Sequence, residues 1–275
     1  FLILHSDKVV DSSKVVVALL QSIKTTEDTK RFDIHSFREL VNYLQSDDTV
    51  SDDDLVKIEW AYLPIINRGA NDSLQPQVLE KKLANEPSFF CEIIRYAYRS
   101  KFQKEKNELS ESEKNIAKNS HYLLDKWGKV PGIDVEGKFD ANAFNNWFNL
   151  VQTECEESGH LEIAYQIIGK VLISSPSNDE NWILPELADC LNRRGLEEVR
   201  TGYRIAIRNS RGAHIVDPEG KQELELAQKY RTKSDEIELL GFHRFGRTLR
   251  ELADEYQAEA ESIIEQHSKK PVVGF

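Results

Sequence analysis

The residues with the clearest capacity for chemistry are arginines clustered between positions 193 and 211. This segment contains six arginines and two glutamates, so its formal charge is +4 in a chain of net charge −11. Arg200, Arg204 and Arg208 are spaced by four residues, which places them on one face of a helix. Guanidinium groups hold phosphate or carboxylate oxygens through paired hydrogen bonds. The spacing therefore predicts either an anion-binding face or a row of internal ion pairs.

Two residues extend this arginine row on its C-terminal side. Arg211 lies on a polar turn that ends at Gly212, and His214 follows. Together with the row they form a candidate site for a phosphate on a nucleotide, a nucleic acid or a phosphorylated partner. Internal pairing is the alternative, because residues 218–267 contain 12 acidic residues against seven lysines and arginines. That surplus can neutralise the arginine face across a helix–helix contact.

A second basic cluster begins at His243 and Arg244. Helical spacing places His243, Arg247 and Arg250 on one face, which adds Arg247 and Arg250 to the candidate binding residues. Acidic residues follow within about one turn, at positions 251, 254 and 255. Local salt bridges are therefore the alternative interpretation of this cluster.

No other local pattern meets the requirements of a catalytic or metal site. Residues 132–138 match the start of a phosphate-binding loop, but Phe139 replaces the hydroxyl residue that would hold magnesium. The aspartate-rich stretch 47–54 lacks the glycine and terminal glutamate of a calcium loop. The sequence predicts no metal and no cofactor. It favours a non-catalytic protein, with an enzyme whose site is assembled from distant residues as an alternative.

Apolar residues recur with helical periodicity along most of the chain, and no alternating strand pattern appears. We expect an all-α fold of about ten helices, arranged as an irregular helix-pair stack or a two-part helical bundle. Helix starts are predicted at the capping boxes Ser36/Glu39 and Ser110/Glu113 and at the pair Asp217-Pro218. The Gly- and Pro-rich residues 128–138 predict a boundary between helical subdomains 1–127 and 128–275.

Composition indicates the compartment and the class of partner. The three cysteines are far apart and form no paired motif, which is typical of a reducing, cytoplasmic environment. No apolar run is long enough to span a membrane, and the net charge opposes non-specific nucleic-acid binding. The sequence has no Met and starts at Phe1. We therefore expect a fragment or processed product, or a sequence from which Met residues were omitted.

Several stretches together resemble the C-terminal helical region of large, uncharacterised bacterial multidomain proteins, including signalling or phage-defence-like ATPases. They are Glu59-Trp-Ala-Tyr-Leu-Pro64, Glu86-Pro-Ser-Phe-Phe90, Asn209-Ser-Arg-Gly212 and Arg247-Thr-Leu-Arg250-Glu-Leu-Ala253. The resemblance implies a protein-interaction or sensor and scaffold module of a larger bacterial protein. Its expected partner is a protein or another domain of the parent chain, and the resemblance carries no catalytic residue and no oligomeric state.

Overall fold

A computed structural model describes residues 11–23, 34–66, 74–104, 108–134, 136–177, 182–213 and 216–268. These residues form twelve α-helices and one short 3-10 turn, so the predicted all-α class is confirmed, with twelve helices rather than about ten. None of the described helices combines the length and apolar character needed to cross a bilayer. The chain divides into two compact units, Phe1–His160 and Leu161–Phe275.

The first unit contains seven of the described helices. Their bounds are α1 Ser12–Ile23, α2 Ile34–Gln45, α3 Asp52–Ile66, α4 Gln77–Asn85, α5 Pro87–Ala97, α6 Glu111–Lys126 and α7 Ala141–Ser158. Apolar faces of α1, α2 and α3 bury a core that includes Val41, Leu44 and Ile58. The sequence pattern sets this packing, because residues spaced by three or four positions share a helix face.

Aromatic side chains form a second core within the first unit. The ring centroid of Phe90 lies 5.2 Å from that of Trp127 and 5.1 Å from that of Trp147. The Trp147 indole nitrogen donates a hydrogen bond to the Leu83 carbonyl at 3.1 Å, which satisfies the polar atom of a buried ring. Trp127 is the C-cap residue that follows α6 and Trp147 lies in α7, so this core joins the helices on both sides of the glycine-rich segment.

The glycine-rich segment therefore lies inside the first unit, and the division between the units follows His160 rather than Gly128. The Asp134 carboxylate accepts hydrogen bonds from the backbone nitrogens of Glu136 and Lys138 at 2.9 and 2.8 Å. Asp140 N also donates to the Gly132 carbonyl at 2.7 Å. These backbone donors are bound within the turn, whereas a phosphate-binding loop directs such donors to its ligand.

The second unit contains five α-helices among its described residues. Their bounds are α8 Leu161–Val171, α9 Pro185–Asn192, α10 Glu197–Ser210, α11 Lys221–Leu239 and α12 His243–Ser268, with a 3-10 turn at Leu172–Ser174. Helices α11 and α12 form a hairpin whose turn has Gly241 in the left-handed region, at φ +87°. Phe245 is fully buried at the start of α12, and its ring lies 5.3 Å from that of Tyr203 on α10.

Glycine allows α8 and α10 to pack backbone against backbone. An added Cβ at Gly169 would lie 1.9 Å from the Val199 carbonyl oxygen, and one at Gly202 would lie 2.0 Å from the Gln166 carbonyl oxygen. No side chain fits in either position without separating the helices, because both neighbours are backbone atoms. This contact fixes the position of α10, which carries the arginine row.

Candidate anion-binding site

An ion-pair ladder joins the arginine row of α10 to α12. The Arg204 guanidinium lies 2.9 Å from the Glu255 carboxylate and 3.8 Å from that of Glu251. Arg208 contacts Glu255 at 3.0 Å and Glu259 at 3.2 Å. The contacts advance in the same direction along both helices, so α10 and α12 run parallel with matching four-residue steps. Hydrogen bonding to Glu255 raises the pKa of Arg208 above its ordinary value.

Arg211, which follows the C-terminal end of α10, also pairs with carboxylates. Its guanidinium binds the Glu223 carboxylate of α11, which is completely buried, and it lies 3.8 Å from Glu259. It also donates to the Gln222 side-chain oxygen at 3.3 Å. A buried carboxylate needs such a cation, because water cannot solvate its charge. We assign Arg211 a structural role in holding the start of α11 against the end of α10.

Arg200 lies beneath the surface at the opposite end of the row. One guanidinium nitrogen donates to the carbonyl oxygens of Leu191 and Arg193, both at 2.9 Å, and the other pairs with Glu197 at 3.1 Å. Leu191 is in the last turn of α9, whose final carbonyls have no partner within the helix. Arg200 thus caps α9 and is 7% exposed.

The charge of the α12 face changes sign along its length. Positions spaced by four residues read His243, Arg247, Glu251, Glu255 and Glu259. The last three supply the acidic side of the ladder, whereas the first two are basic. The N-terminal half of α10 brings Glu197, Arg200 and Thr201 next to this basic end of α12. Opposed basic groups repel one another unless an anion lies between them.

A cleft of about 670 Å³ opens at this end of the α10–α12 contact. Its lining contains four arginines, one histidine, two threonines and two glutamates. These residues are Glu197, Arg200, Thr201, Arg204, His243, Arg244, Arg247, Thr248 and Glu251. The volume is within the range of sites that hold small molecules, and arginine is the most frequent residue in the lining.

Arg244 and Arg247 are the available cations of this cleft. Both are exposed, and neither guanidinium has an ion pair or hydrogen bond within the described part of the chain. Their backbone is well anchored: Arg244 N donates to the Asn192 side-chain oxygen at 2.8 Å, and Thr248 Oγ1 donates to the Arg244 carbonyl at 3.2 Å. A fixed helix start therefore presents the Arg244 and Arg247 guanidinium groups to the cleft.

The structure brings together three of the predicted binding residues and separates the others. Arg200, Arg204 and Arg247 line the cleft, whereas Arg208, Arg211 and Arg250 lie in ion pairs outside its lining. Arg250 pairs with Glu238 at 2.8 Å and with Asp235 at 3.4 Å. His214 lies outside the described residues.

Sequence reasoning did not select Arg244 and Thr201 as binding residues. The helical face defined by His243, Arg247 and Arg250 excluded Arg244, because that face was judged from α12 alone. The only available signal was the position of Arg244 within a basic cluster. Its meeting with α10 depends on the parallel register of two helices about forty residues apart in sequence, which no local pattern specifies.

Neither a search for metal-binding side chains nor comparison with known proteins assigns a function to the cleft. Within the residues that the structure describes, no group of three or more His, Cys, Asp or Glu side chains could hold a metal ion. Scans against family models, curated proteins and solved structures each returned no match. The resemblance to bacterial multidomain proteins therefore stays a prediction.

Proposed function

We propose that this chain is a non-catalytic helical binding module whose cleft between α10 and α12 holds one compact anionic group of the phosphate class. The module acts as an interaction or sensor element of a larger bacterial protein. Arg244 and Arg247 provide the primary contacts, with Arg204 and His243 beside them. The two glutamates of the cleft would accept hydrogen bonds from hydroxyl or amide groups next to the anion.

The observation that carries this proposal is the change of charge on α12. Toward the C-terminal ends of the two helices, Arg204 and Arg208 of α10 each have a glutamate of α12 opposite. Toward the N-terminal end of α12, Arg244 and Arg247 have no paired glutamate among the described residues. A bound dianion would complete the ladder, with the ligand in the position that the glutamates occupy further along. Arginine favours this role because its planar group binds two oxygens of one phosphate.

The same arrangement favours a compact ligand over a nucleic-acid strand. A strand needs a continuous basic track for successive phosphates. Here the basic surface stops at Glu251, and the glutamates of the ladder neutralise the arginines beyond it. Net charge of −11 also opposes a polyanion approaching the remaining surface.

The proposal is tested by isothermal titration calorimetry at low salt with three probes: inorganic pyrophosphate, a phosphoserine peptide and a single-stranded oligonucleotide. Tighter binding of the peptide than of pyrophosphate identifies an interaction module, and the reverse order identifies a sensor of small phosphates. In either case we expect affinity to fall as salt screens the charges. Oligonucleotide binding that strengthens with strand length would contradict the compact-ligand proposal.

Variants on α12 assign the binding to the cleft. We expect the double variant R244Q/R247Q to bind at least about tenfold more weakly, because each charge-assisted hydrogen bond lost contributes about 1.5–3 kcal/mol. R250Q is the control, since it removes one arginine charge from the same helix outside the cleft. Equal affinity in R244Q/R247Q and the native protein would overturn the proposal.

A further inference from the structure

The first unit contains a pair of thiols that the anion-binding proposal does not use. Cys91 on α5 and Cys155 on α7 are both completely buried, and their sulfur atoms lie 3.5 Å apart. They are separated by 64 positions in the sequence, and no local spacing pairs them. The third cysteine, Cys190, is equally buried in the second unit and is also a free thiol.

We propose that Cys91 and Cys155 form a redox-active thiol pair, which a peroxide converts to a disulfide that joins α5 to α7. The sulfurs need to approach by about 1.5 Å to reach bonding distance. A movement of this size is of the order that side-chain rotation supplies. The pair is therefore a modification site specified by the packing of α5 against α7.

The environment of the two thiols lowers the pKa of Cys155 below its ordinary value. A thiolate at Cys155 accepts a hydrogen bond from the Cys91 thiol, which lowers the pKa of Cys155 and raises that of Cys91. Burial opposes this lowering of the Cys155 pKa. Arg95 adds to it by Coulomb attraction, and Glu154, 3.8 Å from the Arg95 guanidinium, acts against it. Burial raises the pKa of Cys190 to about 12, so that thiol is a weaker nucleophile than Cys155.

Because Cys155 is near a helix end, local opening there would admit a small oxidant to the pair. Cys155 is in the last turn of α7, which ends at Ser158 with Gly159 in the left-handed region. The segment after α5 covers this end through two hydrogen bonds: Ser100 Oγ donates to Ser158 O at 2.7 Å, and Lys101 N donates to Gly159 O at 3.0 Å. Helix ends and the loops over them open more readily than helix centres.

The reaction balances with peroxide as the oxidant. The Cys155 thiolate attacks one peroxide oxygen and the O–O bond breaks, which leaves a sulfenic acid and a hydroxide that takes the Cys91 proton as water. The Cys91 thiolate then attacks the sulfenic sulfur, the S–O bond breaks, and the departing hydroxide is protonated to a second water. The two thiols are oxidised by two electrons, and one peroxide is reduced to two waters.

The test treats the native protein with hydrogen peroxide, alkylates remaining thiols under denaturing conditions and maps the cysteines by mass spectrometry. We expect a peptide linked through Cys91 and Cys155, with Cys190 alkylated. Dithiothreitol should restore both thiols. Detection of Cys91 and Cys155 as separate alkylated or over-oxidised residues, with no linked peptide, would overturn the proposal.

Stability measurements provide a second readout on the same samples. The oxidised protein should unfold at a higher urea concentration than the reduced protein, because the cross-link restricts the unfolded chain. C190S should keep this shift, whereas C91S and C155S should lose it. A shift of equal size in C155S would show that peroxide acts elsewhere, and the native-protein peptide map remains decisive if a serine variant does not fold.

Discussion

Glu59 is a buried carboxylate of α3 that caps the N-terminus of α4. Its oxygens accept hydrogen bonds from the backbone nitrogens of Val78 and Leu79 at 3.1 and 2.9 Å, and from the Gln45 side chain at 2.7 Å. Helix α4 begins at Gln77 without a capping side chain of its own, so a residue of α3 satisfies its first donors. Burial nevertheless raises the pKa of Glu59, because desolvation outweighs these hydrogen bonds.

The raised pKa predicts a pH dependence of stability. The folded chain holds the Glu59 proton more tightly than the unfolded chain, so this group stabilises the fold below its ordinary value of 4.5 and less as pH rises through the raised value. We expect the free energy of unfolding of the native protein, minus that of E59Q, to decrease from about pH 4 to pH 7. Urea titrations at each pH measure the difference, and an increase with pH would contradict the assigned direction.

The surroundings of Arg211 and Arg208 predict unequal costs for the same substitution. Arg211 is the partner of the completely buried Glu223, whereas Arg208 is in exposed pairs with Glu255 and Glu259. Arg211→Ala should lower the free energy of unfolding by about 3–5 kcal/mol, because a carboxylate is left buried without its cation. Arg208→Ala should cost less than about 1 kcal/mol. Equal losses in chemical denaturation would contradict the structural role assigned to Arg211.

At the scale of elements, the close approach of α8 and α10 depends on two glycines. Gly169→Ala and Gly202→Ala should each lower the free energy of unfolding by at least about 2 kcal/mol, because the new methyl group would overlap backbone atoms of the facing helix. The control Glu162→Ala adds alanine to an exposed position of α8 and should change stability by less than about 0.5 kcal/mol. Urea unfolding of the native protein and the three variants measures these changes in the free energy of unfolding. Near-native stability of both glycine variants would refute the tight contact.

Local signals predicted helix starts unevenly. The Ser110/Glu113 box is present at the start of α6, with both of its hydrogen bonds, because all its contacts are within four residues. The Ser36/Glu39 prediction was wrong, since Ser36 lies inside α2. The start predicted at Asp217-Pro218 was also wrong: Asp217 accepts from Glu219 N to form a turn, and α11 begins at Lys221 after the left-handed Gly220.

The candidate site was predictable only in part, because its residues come from two helices whose relative direction no local pattern specifies. Four-residue spacing correctly grouped Arg204 with Arg208, and the acidic surplus after position 217 anticipated their partners. The spacing does not specify whether α12 runs parallel or antiparallel to α10. That register decides which arginines meet Glu255 and which face Arg247. Periodicity identifies the faces of helices, whereas tertiary packing decides what each face meets.

At the scale of the whole molecule, an acidic chain contains one cleft in which arginines outnumber glutamates. The net charge is −11, yet the cleft of the second unit contains four arginines against two glutamates. Along most of the α10–α12 contact, glutamates already neutralise the arginines. The basic cleft therefore departs from the charge balance of the ladder beside it, and an anion of the phosphate class would restore that balance.

The most direct test of this account is nuclear magnetic resonance of the arginine side chains during a pyrophosphate titration. We expect the Nε–H resonances of Arg244 and Arg247 to shift together and to saturate, since their guanidinium groups would exchange water for phosphate oxygens. Those of Arg208 and Arg211 should stay in place, because glutamates already hold them. Shifts confined to Arg208 and Arg211, or no saturable shift at Arg244 and Arg247, would contradict the account.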